Sequence, residues 1–231
     1  MLKISDLNQY YGQSHTLREL NLDVPEGQCT VLMGRNGVGK TTLLKCIMGL
    51  LPVKGGVLDY CGKSLKKVSA EQRAPLGIGY VPQGRQIFPL LSVEENLLIG
   101  LPARHDKLNK VPDSIYEMFP VLKEMLRRRG GDLSGGQQQQ LAIGRALVTD
   151  PKLLILDEPT EGIQPNIVAE IGNIVRKLNH EMGLTVLLVE QKLPFARKLA
   201  DRFCLLDRGH AVASGAMAEL NDDLIQQYLT V

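Results

Sequence analysis

One stretch of the sequence has the glycine spacing of a phosphate-binding loop. It reads GRNGVGKTT from Gly34 to Thr42, between the apolar run CTVLM and the helical pattern TTLLKCIMGL. Glycines at these positions let backbone N–H groups converge on phosphate oxygens, and the helix N-terminus behind them adds partial positive charge. Lys40 would reach the terminal phosphates, and Thr41 would place its hydroxyl on Mg²⁺. An accidental glycine-rich turn is the alternative, which the strand–loop–helix context disfavours. The predicted nucleotide-binding residues are Gly34, Arg35, Asn36, Gly37, Val38, Gly39, Lys40, Thr41 and Thr42.

A second apolar stretch, LLILDE, ends in two adjacent carboxylates, Asp157 and Glu158. Acidic side chains at the end of a buried strand are costly unless a cation meets them. Because neighbouring side chains of a strand point in different directions, we expect Asp157 to hold Mg²⁺ through water and Glu158 to polarise the attacking water. A solvated strand end is the alternative, and the phosphate loop elsewhere in the chain makes it the weaker one.

The glutamine-rich stretch GGDLSGGQQQQLAIGRAL holds another glycine-rich helix start. Ser134 fits the N-cap of this helix, and Gly135 and Gly136 permit close approach of a ligand to the backbone, so the stretch predicts a second anion-binding helix start. A disordered glutamine tract is the alternative. Such tracts usually extend further, and they lack the apolar spacing that follows Gln137 here.

The composition is that of an ordinary globular chain. The 231 residues are 44% hydrophobic, and 27 basic against 25 acidic residues give a net charge of +2, too balanced to indicate a nucleic-acid surface. Four cysteines and four histidines have neither metal-type nor disulfide-type spacing, which predicts reduced thiols. Because no apolar run approaches the roughly 18 residues of a membrane span, we expect a soluble chain whose membrane role, if any, comes through a partner.

Short β-rich runs alternate with helical patterns, which predicts an α/β fold. Near-continuous apolar strands indicate a parallel sheet that helices cover on both faces. The first ~25 residues alternate instead as antiparallel edge strands do. The apolar runs span residues 29–33, 77–81, 153–157, 184–189 and 202–207.

Strand signals vanish between Gln83 and about Thr149. A capping box, Ser92 to Glu95, opens one helical pattern, and SIYEMFPVLKEMLRR keeps a helical apolar period. We therefore predict a single domain over residues 1–231. Its nucleotide-binding core and antiparallel β subdomain would be formed by 1–83 and 150–231, and 84–149 would form an inserted helical subdomain.

Taken together, these motifs resemble the ATP-binding subunits of ABC transporters, whose signature is matched letter for letter by LSGGQ, residues Leu133 to Gln137. The resemblance implies the P-loop NTPase fold of ABC ATPases, with a mostly parallel core sheet, an antiparallel β subdomain and an inserted helical subdomain. In that family the signature contacts the γ-phosphate held by the opposite subunit, so two chains sandwich two ATP molecules. The signature residues that would bind nucleotide are Ser134, Gly135, Gly136 and Gln137.

Further roles follow from the resemblance, residue by residue. Tyr11 matches the aromatic residue that stacks on adenine, although a tyrosine in an edge strand is usually packing. Gln83 matches the glutamine that senses Mg²⁺ and links nucleotide to the helical subdomain, and an ordinary turn residue is its alternative. The implied catalytic residues are Lys40, Glu158 and Gln191, and the implied metal-site residues are Thr41, Gln83 and Asp157.

Two departures from the wider family narrow the resemblance. Gln164 stands where the loop after the glutamate usually ends in Asp, and Gln191 stands at the usual switch histidine. Both variants resemble the second ATPase subunit of importers for branched-chain amino acids and amides, and QYYGQSH with GRNGVGKTT resembles the urea type most. Branched-chain amino acid import is the alternative, and a non-transport ABC ATPase that acts on nucleic acid is less favoured. For Gln191, capping of the helix that begins near Leu193 is the alternative role.

The resemblance also implies partners. ATP and Mg²⁺ would be the cofactors, and a second ATPase subunit, identical or not, would complete the sandwich. Two membrane permease subunits would hold the pair at the cytoplasmic face of the inner or plasma membrane, with an external solute-binding protein acting indirectly and no nucleic acid bound. Apolar Ile87, Phe88 and Leu90 would lie at the groove that grips the permease, or would be core.

Overall fold

The computed structural model describes residues 1–230, which form two β-sheets and a set of helices. The strands are β1 (Leu2–Tyr11), β2 (Ser14–Val24), β3 (Cys29–Met33), β4 (Gly55–Tyr60), β5 (Lys63–Ser64), β6 (Ile78–Val81), β7 (Leu153–Asp157), β8 (Thr185–Val189), β9 (Arg202–Asp207) and β10 (His210–Ala216). The α-helices are α1 (Lys40–Ile47), α2 (Val93–Leu98), α3 (Asp113–Met118), α4 (Pro120–Glu124), α5 (Gly135–Val148), α6 (Pro165–Arg176), α7 (Leu193–Leu199) and α8 (Asp222–Tyr228).

The larger sheet confirms the predicted parallel core. Its six strands run in the order β10-β9-β3-β8-β7-β6, with parallel pairing from β9 to β6 and an antiparallel edge strand, β10. Every residue of β3, β7 and β8 is buried, as a sheet covered on both faces requires. Because β3, β8 and β7 are neighbours and parallel, the loops that follow them leave the sheet at the same edge.

The smaller sheet is antiparallel and has the strand order β2-β1-β4-β5. The antiparallel pair predicted from the start of the sequence is present as β1 and β2, but only β2 is an edge strand, because β1 pairs with β2 on one side and β4 on the other. The short strands β4 and β5 were not predicted, because GGVLDY and KS carry too few alternating apolar residues to signal a strand. The edge strand β10 was missed for the same reason, since HAVASGA is made of small residues.

Strand alternation divides the interior into two apolar clusters, one on each face of the larger sheet. In β7, Leu154 and Leu156 join the cluster that contacts α5 and α6, whereas Leu153 and Ile155 join the cluster shared with the smaller sheet and α1. A strand that buries both of its faces must be apolar at every position. This requirement explains the unbroken apolar runs in the sequence.

The region between the two parts of the sheet is helical, as predicted, and the described residues there form no strand. Ser92 caps α2 with the expected box, in which the Glu95 N–H donates to Ser92 Oγ and the Ser92 N–H donates to Glu95 Oε2. The predicted single helical pattern at SIYEMFPVLKEMLRR is instead split into α3 and α4. Pro120 causes the break, because proline keeps the preceding Phe119 out of helical geometry, at φ −129° and ψ 72°.

Helix α5 lies at the centre of the helical region. Its Gly144 leaves room for close neighbours, since a Cβ there would lie 3.3 to 3.5 Å from side-chain carbons of Leu97, Leu122 and Ile115. These carbons belong to α2, α4 and α3, so one helix anchors three short ones. Among residues 1–230, no helix has both the length and the apolar character needed to cross a membrane.

Candidate functional site

A cavity of about 690 Å³ lies where the loops after β3, β6, β7 and β8 meet. Its walls include Lys40 and Thr41 at the start of α1, Gln83 after β6, Glu158 after β7 and Gln191 after β8. The order of the parallel strands therefore brings together side chains that are far apart in the sequence.

The loop from Gly34 to Thr42 has the backbone geometry that a phosphate cradle needs. Gly34 has φ +151°, and a Cβ on it would lie only 2.3 Å from the Leu206 carbonyl oxygen. Gly39, with φ +115°, directly precedes α1. Only glycine adopts these conformations without strain. The first N–H groups of α1 have no partner within their own helix and can donate to an anion.

Lys40 joins this loop to the acidic residues. Its Nζ donates to the carbonyl oxygens of Gly34 at 2.7 Å and Arg35 at 3.0 Å, and it lies 3.7 Å from Glu158 Oε1. Burial lowers the pKa of Lys40, while the charges of Glu158, Asp157 and Glu190 act in the opposite direction. An ammonium group in this position can meet a further anion that enters the loop.

Asp157, at the end of β7, carries a carboxylate in surroundings that disfavour its negative charge. Its side chain is 2% exposed, and Oδ2 has no hydrogen-bond partner. Burial and the neighbouring Glu158 charge raise its pKa to about 6, against the opposing effect of Lys40 and hydrogen bonds from Gln83 and Tyr80. A buried carboxylate oxygen without a partner suits a cation. The site therefore fits the predicted Mg²⁺, with Thr41 and Gln83 in the adjacent cavity wall.

The Glu158 carboxylate is held between two glutamine amides. Gln191 Nε2 donates to Glu158 Oε1 and to Asn36 Oδ1, the latter at 2.7 Å. Gln83 Nε2 donates to Glu158 Oε2 at 3.3 Å and to Glu161 Oε2 at 2.9 Å. Glu158 also has φ +48°, a left-handed conformation that its N–H stabilises by donating to the Val189 carbonyl at 2.9 Å.

The contacts of Gln191 contradict its alternative role as a helix cap. Helix α7 begins at Leu193, its N-cap position is Lys192, and no side chain caps it. The Gln191 side chain lies instead against Asn36 and Glu158.

A second cavity, of about 440 Å³, lies at the start of α5 and shares no lining residue with the first. The Ser134 Oγ accepts the Gln137 N–H at 3.4 Å, and Gln137 Oε1 accepts the Ser134 N–H at 2.9 Å, which confirms the predicted cap. Gly135, Gly136 and Gln164 also line this cavity. Within one chain, the signature and the phosphate loop therefore form separate sites.

Besides the signature residues, four predicted nucleotide-site residues do not line the first cavity: Tyr11, Gly34, Arg35 and Val38. Tyr11 ends β1 and is 47% exposed, and Val38 is buried in the cluster between the two sheets. The Arg35 guanidinium donates to the carbonyl oxygens of Gln227 and Thr230, at the end of α8. The other predicted loop residues that line the cavity are Asn36, Gly37, Gly39 and Thr42.

Glu190 is a cavity residue that the sequence analysis missed. Its side chain is buried, Oε2 accepts the Thr160 hydroxyl at 2.7 Å, and Oε1 accepts the N–H groups of Gln191 at 2.8 Å and Lys192 at 3.0 Å. It thereby fixes the loop that carries Gln191. The signal was present, because Glu190 directly follows the apolar run LTVLLV, as Asp157 directly follows the apolar residues LLIL.

Comparison with known proteins agrees with this geometry. A family model described as ABC transporter matches residues 17–161. The chain is 40% identical to the high-affinity branched-chain amino acid transport ATP-binding protein BraG of Pseudomonas aeruginosa, over 99% of both chains. It is 36% identical to the probable branched-chain amino acid transport ATP-binding protein LivF of Archaeoglobus fulgidus, over 95% of this chain and 94% of that one.

Solved structures show the same fold. The dimeric ATP-binding cassette MJ0796, in a post-hydrolysis state with ADP and Pi, superposes with a TM-score of 0.82 at 26% identity, covering 94% of this chain and 99% of that one. The ATP-binding cassette MJ1267 of an ABC transporter superposes with a TM-score of 0.85 at 27% identity, covering 98% and 97% of the two chains.

The raised pKa of Asp157 predicts that the metal-free protein becomes less stable to unfolding as the pH rises. From its ordinary value of 3.8 up to about 6, the folded chain keeps a proton that the unfolded chain releases, so the unfolding free energy falls as pH rises through this window. We expect Asp157→Asn to remove this loss, which amounts to about 2–3 kcal/mol.

Urea unfolding in chelator at about pH 5 and about pH 7.5 checks this expectation, because the gain from Asp157→Asn should be larger at the higher pH. Asp23→Asn, which removes an exposed carboxylate, is the matched control. An equal effect of Asp157→Asn at both pH values would contradict the assignment.

Proposed function

This chain belongs to the ABC transporter family of ATPases, and we propose that it is the ATP-hydrolysing subunit of an importer for branched-chain amino acids. The whole-length similarity to two ATP-binding proteins named for branched-chain amino acid transport carries the choice of solute. The preference for urea or short amides drawn from the sequence has no support in these relatives, so its alternative becomes the proposal.

The phosphates of ATP are proposed to bind in the loop from Gly34 to Thr42, with Lys40 against the terminal phosphates. The backbone geometry of the loop and the donors at the start of α1 support this placement, as does a neighbour of the same fold that binds ADP and Pi. Thr41, Gln83 and Asp157 would hold Mg²⁺. When bound, Mg²⁺ neutralises charge that develops on the phosphate oxygens. Tyr11, exposed at the end of β1, remains the proposed adenine contact.

Glu158 is proposed to orient and polarise the attacking water. Both of its carboxylate oxygens already accept amide hydrogens, from Gln191 and Gln83, so the base is fixed in position before reaction. Gln191 has one amide group shared between Glu158 and Asn36. It can donate to a phosphate oxygen only by releasing one of these acceptors, and an uncharged amide makes that exchange without a change of charge.

A second ATPase subunit is needed to complete the proposed site. The signature residues Ser134 to Gln137 line a cavity separate from the phosphate loop, and a structural neighbour is a dimer. We propose that the signature of each chain, identical or not, meets the nucleotide of the other. Residues 1–83 with 150–231 would form the ATP-binding core, and 84–149 the helical subdomain.

The proposed importer also contains two permease subunits and is served by an external solute-binding protein. The chain would be held peripherally at the cytoplasmic face of the membrane through the permeases. The near balance of 27 basic and 25 acidic residues favours this role over a nucleic-acid partner.

Solute uptake tests the proposal directly. Proteoliposomes that contain the chain, its permeases and the solute-binding protein should accumulate labelled leucine when ATP is supplied, and should not accumulate urea. Lys40→Ala should abolish uptake because the phosphates lose their cation. Uptake of urea without leucine would reject the solute, and ATPase activity stimulated by DNA but not by permeases would reject transport.

ATP-dependent dimerisation tests the sandwich. Glu158→Gln keeps the shape of the site but removes the base, so MgATP should trap a stable dimer on gel filtration. Glu124→Gln, which removes an exposed carboxylate, is the matched control and should dimerise no more than the parent.

Adding Ser134→Arg should prevent the dimer while ATP binding is retained, since bulk and charge block the close approach at Gly135 and Gly136. Equal loss of ATP binding and dimerisation would contradict the sandwich.

Gln191 should act on turnover more than on binding. We expect Gln191→Ala to lower the hydrolysis rate by about 10²-fold, the loss of one transition-state donor, with a smaller change in ATP affinity. Gln191→His should keep activity and add a pH dependence between about 6 and 7.5. The hydrolysis rate and the melting temperature should be measured on the same proteins, with the exposed Gln226→Ala as control. Together they distinguish a role of Gln191 in hydrolysis from a role in stability. Unaltered turnover in Gln191→Ala would remove this residue from the mechanism.

A further inference from the structure

The segment that follows Gln83 has an unusual backbone. Gly84, Arg85 and Gln86 all have positive φ, at 75°, 68° and 45°. Left-handed geometry is unfavourable for residues other than glycine, and two such residues in succession persist only where surrounding contacts hold them. Contacts from other residues must therefore stabilise this segment, and those residues show which parts of the fold it is connected to.

Arg145, in the C-terminal half of α5, stabilises this segment through hydrogen bonds. Its Nη2 donates to the carbonyl oxygens of Gln86 at 2.8 Å and Arg85 at 3.4 Å, and its guanidinium lies 5.2 Å from the ring centroid of Phe88. Its Nη1 is buried without a hydrogen-bond partner. The contacts to the two left-handed residues are thus made by a partly buried side chain whose position packing restricts.

The Arg85 side chain extends from the same segment to the opposite end of α5. Its Nη1 donates to Gln138 Oε1 at 3.3 Å, and a Cβ on Gly135 would lie 3.2 Å from that nitrogen. Gln138 in turn donates through Nε2 to the carbonyl oxygens of Leu133 at 3.1 Å and Gly130 at 3.4 Å. Arg85 is therefore connected, through one glutamine of the QQQQ run, to the loop that carries the signature.

On its other side, the segment begins at Gln83, whose amide donates to Glu158 and Glu161. A short stretch of chain thus connects the carboxylates of one site with the signature that would serve the other. We propose that Arg85 and Arg145 are positioning residues for ATP hydrolysis. Arg145 fixes the left-handed segment, and Arg85, through Gln138, sets the position of the signature according to the position of Gln83. This inference rests on the proposed composite site.

ATP-dependent dimerisation in the Glu158→Gln background tests the inference. We expect Arg85→Ala, added to Glu158→Gln, to raise the apparent dimer dissociation constant about tenfold or more, while binding of a fluorescent ATP analogue changes by less than about twofold. Gln138→Ala should have the same effect, and the double substitution should be no worse than either single one, because both break one connection. Arg85→Lys, which keeps a charged donor, should restore dimerisation to within about threefold of the parent.

Hydrolysis supplies a second measurement in the otherwise unaltered chain. Arg85→Ala should lower kcat about tenfold with KM for ATP nearly unchanged, since Arg85 lies outside the phosphate cavity. Arg127→Ala, which removes an exposed arginine, is the matched control and should leave both values unaltered. Melting temperatures should match the parent for the Arg85 and Gln138 variants.

The outcomes separate the two proposals. If Glu158→Gln alone forms no dimer with MgATP, the composite site itself fails. If it forms a dimer that Arg85→Ala does not weaken, the positioning role is overturned and the composite site stands. Equal loss of ATP binding and dimerisation in Arg85→Ala, or additive losses with Gln138→Ala, would also overturn the positioning role.

Discussion

The parallel pairing of β3, β8 and β7 is the constraint on which the rest of the site depends. The register places Leu32 beside Val189 and Val189 beside Asp157, so the three strands end together. The phosphate loop, the loop of Gln191 and the loop of Glu158 then leave the sheet side by side. Parallel strands always bring their carboxyl ends to one edge, and in this fold that edge collects polar side chains from otherwise apolar strands.

Charge is concentrated at this edge. Asp157 and Glu190 are each 2% exposed, and Lys40 is 5% exposed. Ionised groups in such surroundings require partners, and only part of the requirement is met within the chain, through Thr160, backbone N–H groups and the Lys40–Glu158 contact. The remaining requirement is an anion for Lys40 and a cation for the Asp157 oxygen, which the proposed MgATP would supply. Unfavourable electrostatics at this edge and the proposed affinity for nucleotide therefore have the same origin.

The signature lines a cavity that shares no residue with the one at this edge. Helix α5 carries the signature at its first residues and Arg145 near its end, and the segment from Gln83 to Phe88 contacts both. The proposed coupling between Gln83 and the signature would run through this segment, on which Phe88 and Leu90 are exposed.

The sequence by itself determined the features that depend on short windows of the chain: the phosphate loop, the caps at Ser92 and Ser134, and the five core strands of the parallel sheet. Glycine spacing, capping residues and unbroken apolar runs act locally, so they can be read without the fold. The roles of Gln83 and Gln191 came from family resemblance, not from any local signal. Only the tertiary structure decided that Gln191 contacts Asn36, 155 positions away, and does not cap α7. It also decided that Tyr11 and Val38 lie outside the cavity walls, and that Arg85 reaches Gln138. These contacts depend on which strands pair and how the helices pack on them, and such long-range pairing leaves no trace in any short window of sequence.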